Sequence, residues 1–104
     1  MDPKINICVI QGCSSCKEAL AKLAQEGILY NKIDANQQPR LTDSLELMLK
    51  TSYYPIIFFL QEGKVYYFVS ALSEEKVLDN ETRVIKYYSS IPNLIFNIKS
   101  MLYA

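Results

Sequence analysis

INICVIQGCSSCKEALAKLAQEGILYNKID, residues 5 to 34, changes its hydrophobic period twice. Ile5, Ile7 and Val9 alternate with Asn6, Cys8 and Ile10, and both sets are largely apolar. That pattern predicts a central strand covered on both faces. From Ser14 or Ser15 to Glu26 the spacing of Cys16, Leu20, Leu23 and Ala24 is helical, and Gly27 stands where a left-handed turn would end the helix. "ILYNKID" then reads as a second strand. Because the chain returns through a helix, a right-handed crossover makes this strand parallel to the first.

Outward from this unit, Pro39 opens a second helix with a stripe of Leu41, Leu45, Met48 and Leu49 that runs to about Lys50. "PIIFFL" is β-branched and aromatic, and "QEG" separates it from "KVYYFVS". The two form an antiparallel hairpin turning at Gly63. Beyond Ser70 two readings compete, since "SEEKVLDN" could begin a helix at Ser73 while "TRVIKYY" alternates like a short strand. Ser90 and Pro92 suit a last helix start, followed by an apolar face of Leu94, Ile95, Ile98, Met101 and Leu102. The order β-α-β-α-β-β-α predicts an α/β mixed sheet with helices on its faces.

The chain has 104 residues, the size of one domain with a single core. Half of them are hydrophobic and the formal charge is zero, as in ordinary globular proteins. Lysines and acids alternate, as in "CKEALAKLAQEG", so no basic patch points to a nucleic acid. The apolar run Ile5 to Ile10 is shorter than a signal-peptide core or a membrane span, which points to a cytoplasmic protein without membrane attachment. Three cysteines are too few for a disulfide framework.

Cys13 and Cys16 therefore carry the question of chemistry: a metal clip, a staple or a working dithiol. A closed zinc site needs four ligands, and the chain has three cysteines and no histidine, so no metal site is expected. A cysteine at a helix start faces unpaired amide N–H groups and the positive end of the helix dipole, which favours its thiolate. Cys13 has that position, and Cys16 lies one turn on, at a spacing that suits a disulfide. Lys17 adds a positive charge, and Ser14 and Ser15 are small polar neighbours. Cys8, on the first strand, reads as a small buried hydrophobe.

With this C-x-x-C between a first strand and a first helix, and "TSYYPIIFF" opening a hairpin some forty residues later, the sequence resembles the glutaredoxins of the thioredoxin superfamily over residues 4 to about 73. "CKEALAKLAQEGILYNKIDAN" looks like the family's active-site helix, glycine and second strand leading to an acid, here Asp34. The resemblance implies a thioredoxin-like fold: a four-stranded mixed sheet flanked by helices, with an extended C-terminal segment. It also implies that Pro55 is a cis-proline beside the dithiol and that the backbone of Tyr54 pairs with a substrate or glutathione main chain. Without it, Pro55 reads as a trans residue opening an edge strand, and Tyr53 and Tyr54 equally as core aromatics.

This chain departs from the family in carrying Ser14 and Ser15 where glutaredoxins usually have proline and tyrosine, and it has no tryptophan, unlike thioredoxin proper. The family's glycine pair and following acid correspond to Ser70, Ala71 and roughly Ser73 with Glu74.

The resemblance implies a thiol-disulfide oxidoreductase with Cys13 as nucleophile and Cys16 as resolving residue. Its substrates would be protein disulfides, with glutathione as reductant or co-substrate and no tightly bound cofactor. Ser14, Ser15, Lys17, Tyr54, Pro55 and Ser73 make up the expected substrate- or glutathione-binding set, on a monomer or a dimer. Two other readings stand beside it. One is a dimeric carrier of an iron-sulfur cluster held through Cys13 and glutathione, suggested by Ser14. The other is an interaction module that kept the fold and lost the chemistry.

Overall fold

The computed structural model describes residues 4–70 and 82–103. In chain order its elements are β1 (Ile5–Val9), α1 (Ser14–Gln25), β2 (Tyr30–Asp34), α2 (Pro39–Leu49), β3 (Ile56–Gln61), β4 (Lys64–Ser70), β5 (Arg83–Tyr88) and α3 (Ile91–Leu102). The strands form one mixed sheet in the order β2-β1-β3-β4-β5. β1 is parallel to β2 and antiparallel to β3; β4 is antiparallel to β3 and parallel to β5.

Among the described residues the sheet therefore has five strands, not the four expected. The additional strand comes from "TRVIKYY", which pairs with β4 from Val65↔Arg83 to Ser70↔Tyr88. It covers what would otherwise be an open edge along an aromatic strand, where unpaired backbone groups invite association. The helix start considered at Ser73 lies outside the described residues, as does the Ser73 side chain.

Register assigns the two faces. Ile7, Ile57 and Phe68 lie opposite one another and share a face with Ile5 and Phe59, all essentially without exposure. Gln61, of the same parity as Ile57 and Phe59, donates through Nε2 to the Met101 carbonyl at 2.8 Å, so α3 packs on this face. α1 lies beside α3, where Lys99 meets Glu26 at 2.9 Å. Asn6, Cys8, Ile56, Phe58 and Tyr67 belong to the other face. Arg83 reaches Met48 from it, which puts α2 there. Each core Ile or Phe buried in this way contributes about 1.5–3 kcal/mol. Across β3 and β4 the rings of Phe58 and Tyr67 stack at 6.0 Å and those of Phe59 and Phe68 at 5.7 Å, fixing the hairpin's register.

Turn chemistry aims the elements. α1 ends in a Schellman motif: Ile28 N–H bonds to Leu23 O at 2.9 Å and Gly27 N–H to Ala24 O at 3.1 Å, with Gly27 at φ +70°. Ile28 is consumed in that closure, buried near Leu23, so β2 starts at Tyr30 instead of at Ile28. Glu62 and Gly63 both have positive φ, the geometry of a two-residue hairpin turn that matches strand twist. Ser90 Oγ caps α3 by accepting from Asn93 N–H at 3.2 Å, as Ser90 and Pro92 predicted. No helix among the described residues is long and apolar enough to cross a membrane.

Candidate functional site

The end of β1 hands the chain to α1 through Gly12 at φ +79°, and Cys13 becomes the helix N-cap with extended backbone. Its sulfur takes the place of the hydroxyl or carboxylate usual at such a cap. Cys13 Sγ accepts from the Cys16 amide N–H at 3.1 Å, one of the donors that a helix start leaves without an internal partner. Cys13 and Cys16 form a disulfide, with alpha carbons 5.2 Å apart. Cys13 is half-buried at the core's rim, while Cys16 is 3 % exposed behind it.

Opposite the dithiol lies the segment leading into β3. The Tyr54–Pro55 peptide is cis, and the Tyr54 carbonyl oxygen is 3.7 Å from Cys13 Sγ. In the disulfide that sulfur has no proton; in the thiol it can donate one to this carbonyl. Tyr54 is buried and its hydroxyl donates to Glu46 Oε2 of α2 at 2.7 Å. Burial first, and then the hydrogen bond and negative charge of Glu46, push the Tyr54 phenol well above its ordinary range. On the other side, the Tyr88 hydroxyl of β5 donates to the Pro55 carbonyl at 2.6 Å in a buried setting. Burial also raises the Tyr88 phenol, so it stays a donor at neutral pH.

Of the residues singled out in the sequence, Cys13, Cys16, Tyr54 and Pro55 come together here. Ser14 and Ser15 are exposed on the first turn of α1, beside the sulfur. Lys17 is also exposed, and its ammonium makes no ion pair among the described residues, so its influence on Cys13 is that of a diffuse, solvent-screened charge. Tyr53 is about half exposed and stays out of the core, while Tyr54 enters it. Glu46 and Tyr88 escaped the sequence reading. The available signal was that a buried tyrosine needs a partner for its hydroxyl, but nothing local names that partner.

Cys8 belongs elsewhere. It has no exposed surface, it points to the α2 face of the sheet, and burial pushes its thiol up to about 12. A groove of about 480 Å³ opens at the far end of α1, between Lys22, Glu26, Ile95, Phe96 and Tyr103, away from both sulfurs of the disulfide.

The arrangement provides a half-buried cysteine whose sulfur faces an amide donor, a second, buried cysteine bonded to it, and a main-chain segment held beside them. Compared with protein-family models, curated proteins and solved structures, the chain matches none.

Proposed function

We propose that this protein is a thiol-disulfide oxidoreductase of glutaredoxin-like type, working through Cys13 and Cys16. The observation that supports it best is the unequal setting of two bonded sulfurs: Cys13 half-buried with an amide N–H on its Sγ, Cys16 sealed behind it. An amide donor and the helix dipole favour a negative sulfur at Cys13 in the reduced protein. The fold reading goes with this. β2-β1-β3-β4 with the three helices is taken as a thioredoxin-like unit, to which β5 adds an edge.

The reaction has two exchanges. The Cys13 thiolate attacks one sulfur of a substrate disulfide; a bond forms between them, the substrate bond breaks, and the departing thiolate takes up a proton. Cys16 then loses its proton and attacks Cys13 Sγ, expelling the second substrate thiol and leaving the Cys13–Cys16 disulfide. Two electrons pass from the dithiol to the substrate, together with one proton from Cys16 and one from solvent, the latter replacing the proton that Cys13 gave up when it ionised. Two molecules of glutathione restore the dithiol by the reverse sequence, becoming oxidised glutathione. The main chain of Tyr54, Ser14, Ser15 and Lys17 line the approach, and Ser73 is proposed for the glutathione end from its sequence position alone.

The test is substitution followed by mass spectrometry with a glutathionylated peptide as substrate. Cys16→Ser is expected to accumulate a mixed disulfide on Cys13, and Cys13→Ser to abolish peptide reduction. Full activity in Cys13→Ser contradicts the proposal.

A further inference from the structure

The segment that faces the dithiol is held at two points, and neither hold comes from the sheet ladder. Register extended from Ile57↔Phe68 sets Pro55 opposite Ser70, where a β4 backbone donor would normally serve its carbonyl. Instead, the hydroxyl of Tyr88 reaches across from β5, one strand farther out, and donates to Pro55 O at 2.6 Å. Tyr54 is tethered separately through its own hydroxyl to Glu46 on α2. Between the two anchors sits the carbonyl that lies 3.7 Å from Cys13 Sγ. The Tyr54 amide N–H, by contrast, bonds to nothing among the described residues. A main-chain edge that is fixed in place and whose donor has no partner among the described residues suits an incoming polypeptide; a small disulfide without a main chain gains nothing from it.

We propose that Tyr88 is a positioning residue which, through the Pro55 carbonyl, holds the Tyr54 main chain at Cys13 for disulfides borne on extended polypeptide in preference to small free disulfides. This rests on the reading of Cys13 and Cys16 as an exchanging dithiol. It also assigns a role to β5, since the strand added at the sheet edge is the one that carries the hydroxyl.

The experiment mixes pre-reduced protein in single turnover with two disulfides that share 2-mercaptoethanol. One is a decapeptide whose lone cysteine carries it, and the other is the symmetrical disulfide of 2-mercaptoethanol itself. In each case Cys13 and Cys16 become oxidised and the substrate is released as two thiols. Tyr88→Phe removes only the hydroxyl and is expected to lower the peptide-to-small-disulfide ratio of efficiencies about tenfold, through a higher half-saturating peptide concentration at a similar plateau rate. If Tyr88→Phe does not fold, judged by its circular dichroism, the comparison passes to the second anchor. Glu46→Ala is then expected to lower the same ratio and Glu46→Gln, which keeps an acceptor oxygen, to retain it. An equal fall for both substrates, or no change in the ratio, overturns the proposal. Failure of the unaltered protein to oxidise its dithiol with either substrate overturns the underlying function instead, so the two failures are distinct.

Discussion

Cys8 and Cys13 lie five positions apart in one short stretch of chain and have opposite surroundings. Cys8 sits in the middle of a covered strand, with no exposed surface and a thiol pushed up to about 12 by burial. Cys13 sits just past the end of that strand, half-buried, with the Cys16 N–H on its sulfur and the Cys16 sulfur bonded to it. The same side chain is a small hydrophobe in one setting and a candidate nucleophile in the other. What changes is where the strand stops. Inside the sheet the backbone donors are spent on neighbouring strands, whereas at the helix start they are left over and can serve a sulfur.

The difference between the two cysteines should be greatest in exchange activity. Cys13→Ser is expected to lower the rate with a glutathionylated peptide by a factor of at least about 10³, to the level of uncatalysed exchange. Cys8→Ala should stay within about twofold of the unaltered protein. A comparable loss in Cys8→Ala, in a variant shown by circular dichroism to be folded, would mean that the two cysteines are not functionally distinct.

Alkaline stability is the next. Cys8, Tyr54 and Tyr88 are all held neutral by burial, with Glu46 adding to the effect at Tyr54. An acid whose titration is raised in the fold stabilises it below the unfolded-state value, and that contribution is lost as pH rises toward the folded value. Urea midpoints should therefore be level from about pH 6 to pH 7.5 and decline above about pH 8.5, where unfolded cysteine is half ionised. In Cys8→Ala the decline should begin nearer pH 10, where only the tyrosines contribute. Coincident curves for the two proteins would show that Cys8 is not desolvated as described. Cys8→Ala should also lower stability at pH 7 by about 1 kcal/mol through the lost sulfur contacts.

Much of this was legible because the signals were local. Alternation at Ile5, Ile7 and Val9, helical spacing through Leu23, the stop at Gly27, the turn at Glu62–Gly63 and the Ser90 cap each depend on residues within a turn or two of one another. β5 was harder. "TRVIKYY" has a strand's alternation, but its partner β4 runs parallel to it, and parallel pairing requires a crossover whose route alternation does not encode. The anchors of the Tyr54–Pro55 segment were hidden for the same reason: Tyr88 is 33 positions from Pro55, and only the assembled sheet brings them together. Glu46 is closer in sequence, yet its pairing with Tyr54 depends on α2 lying over the Cys8 face. The β2 boundary moved because Ile28 closes the α1 motif, a competition between helix end and strand start that hydrophobicity alone does not decide.

The smallest expected effect refines the account of Cys13. If its sulfur is governed mainly by the amide donor, Lys17→Ala should slow exchange only about twofold, and that difference should vanish above about 0.5 M salt. A tenfold loss that persists in salt would move the control from the helix start to the lysine side chain.

The order in which the three cysteine thiols react separates their settings in a single experiment. The reduced, folded protein is treated with iodoacetamide at pH 7, quenched at intervals and digested, and the modified cysteine is located by mass spectrometry. Modification is expected at Cys13 first, at Cys16 much more slowly, and at Cys8 only after urea unfolds the chain. Modification of Cys16 ahead of Cys13, or of Cys8 alongside it in the folded protein, would contradict the account.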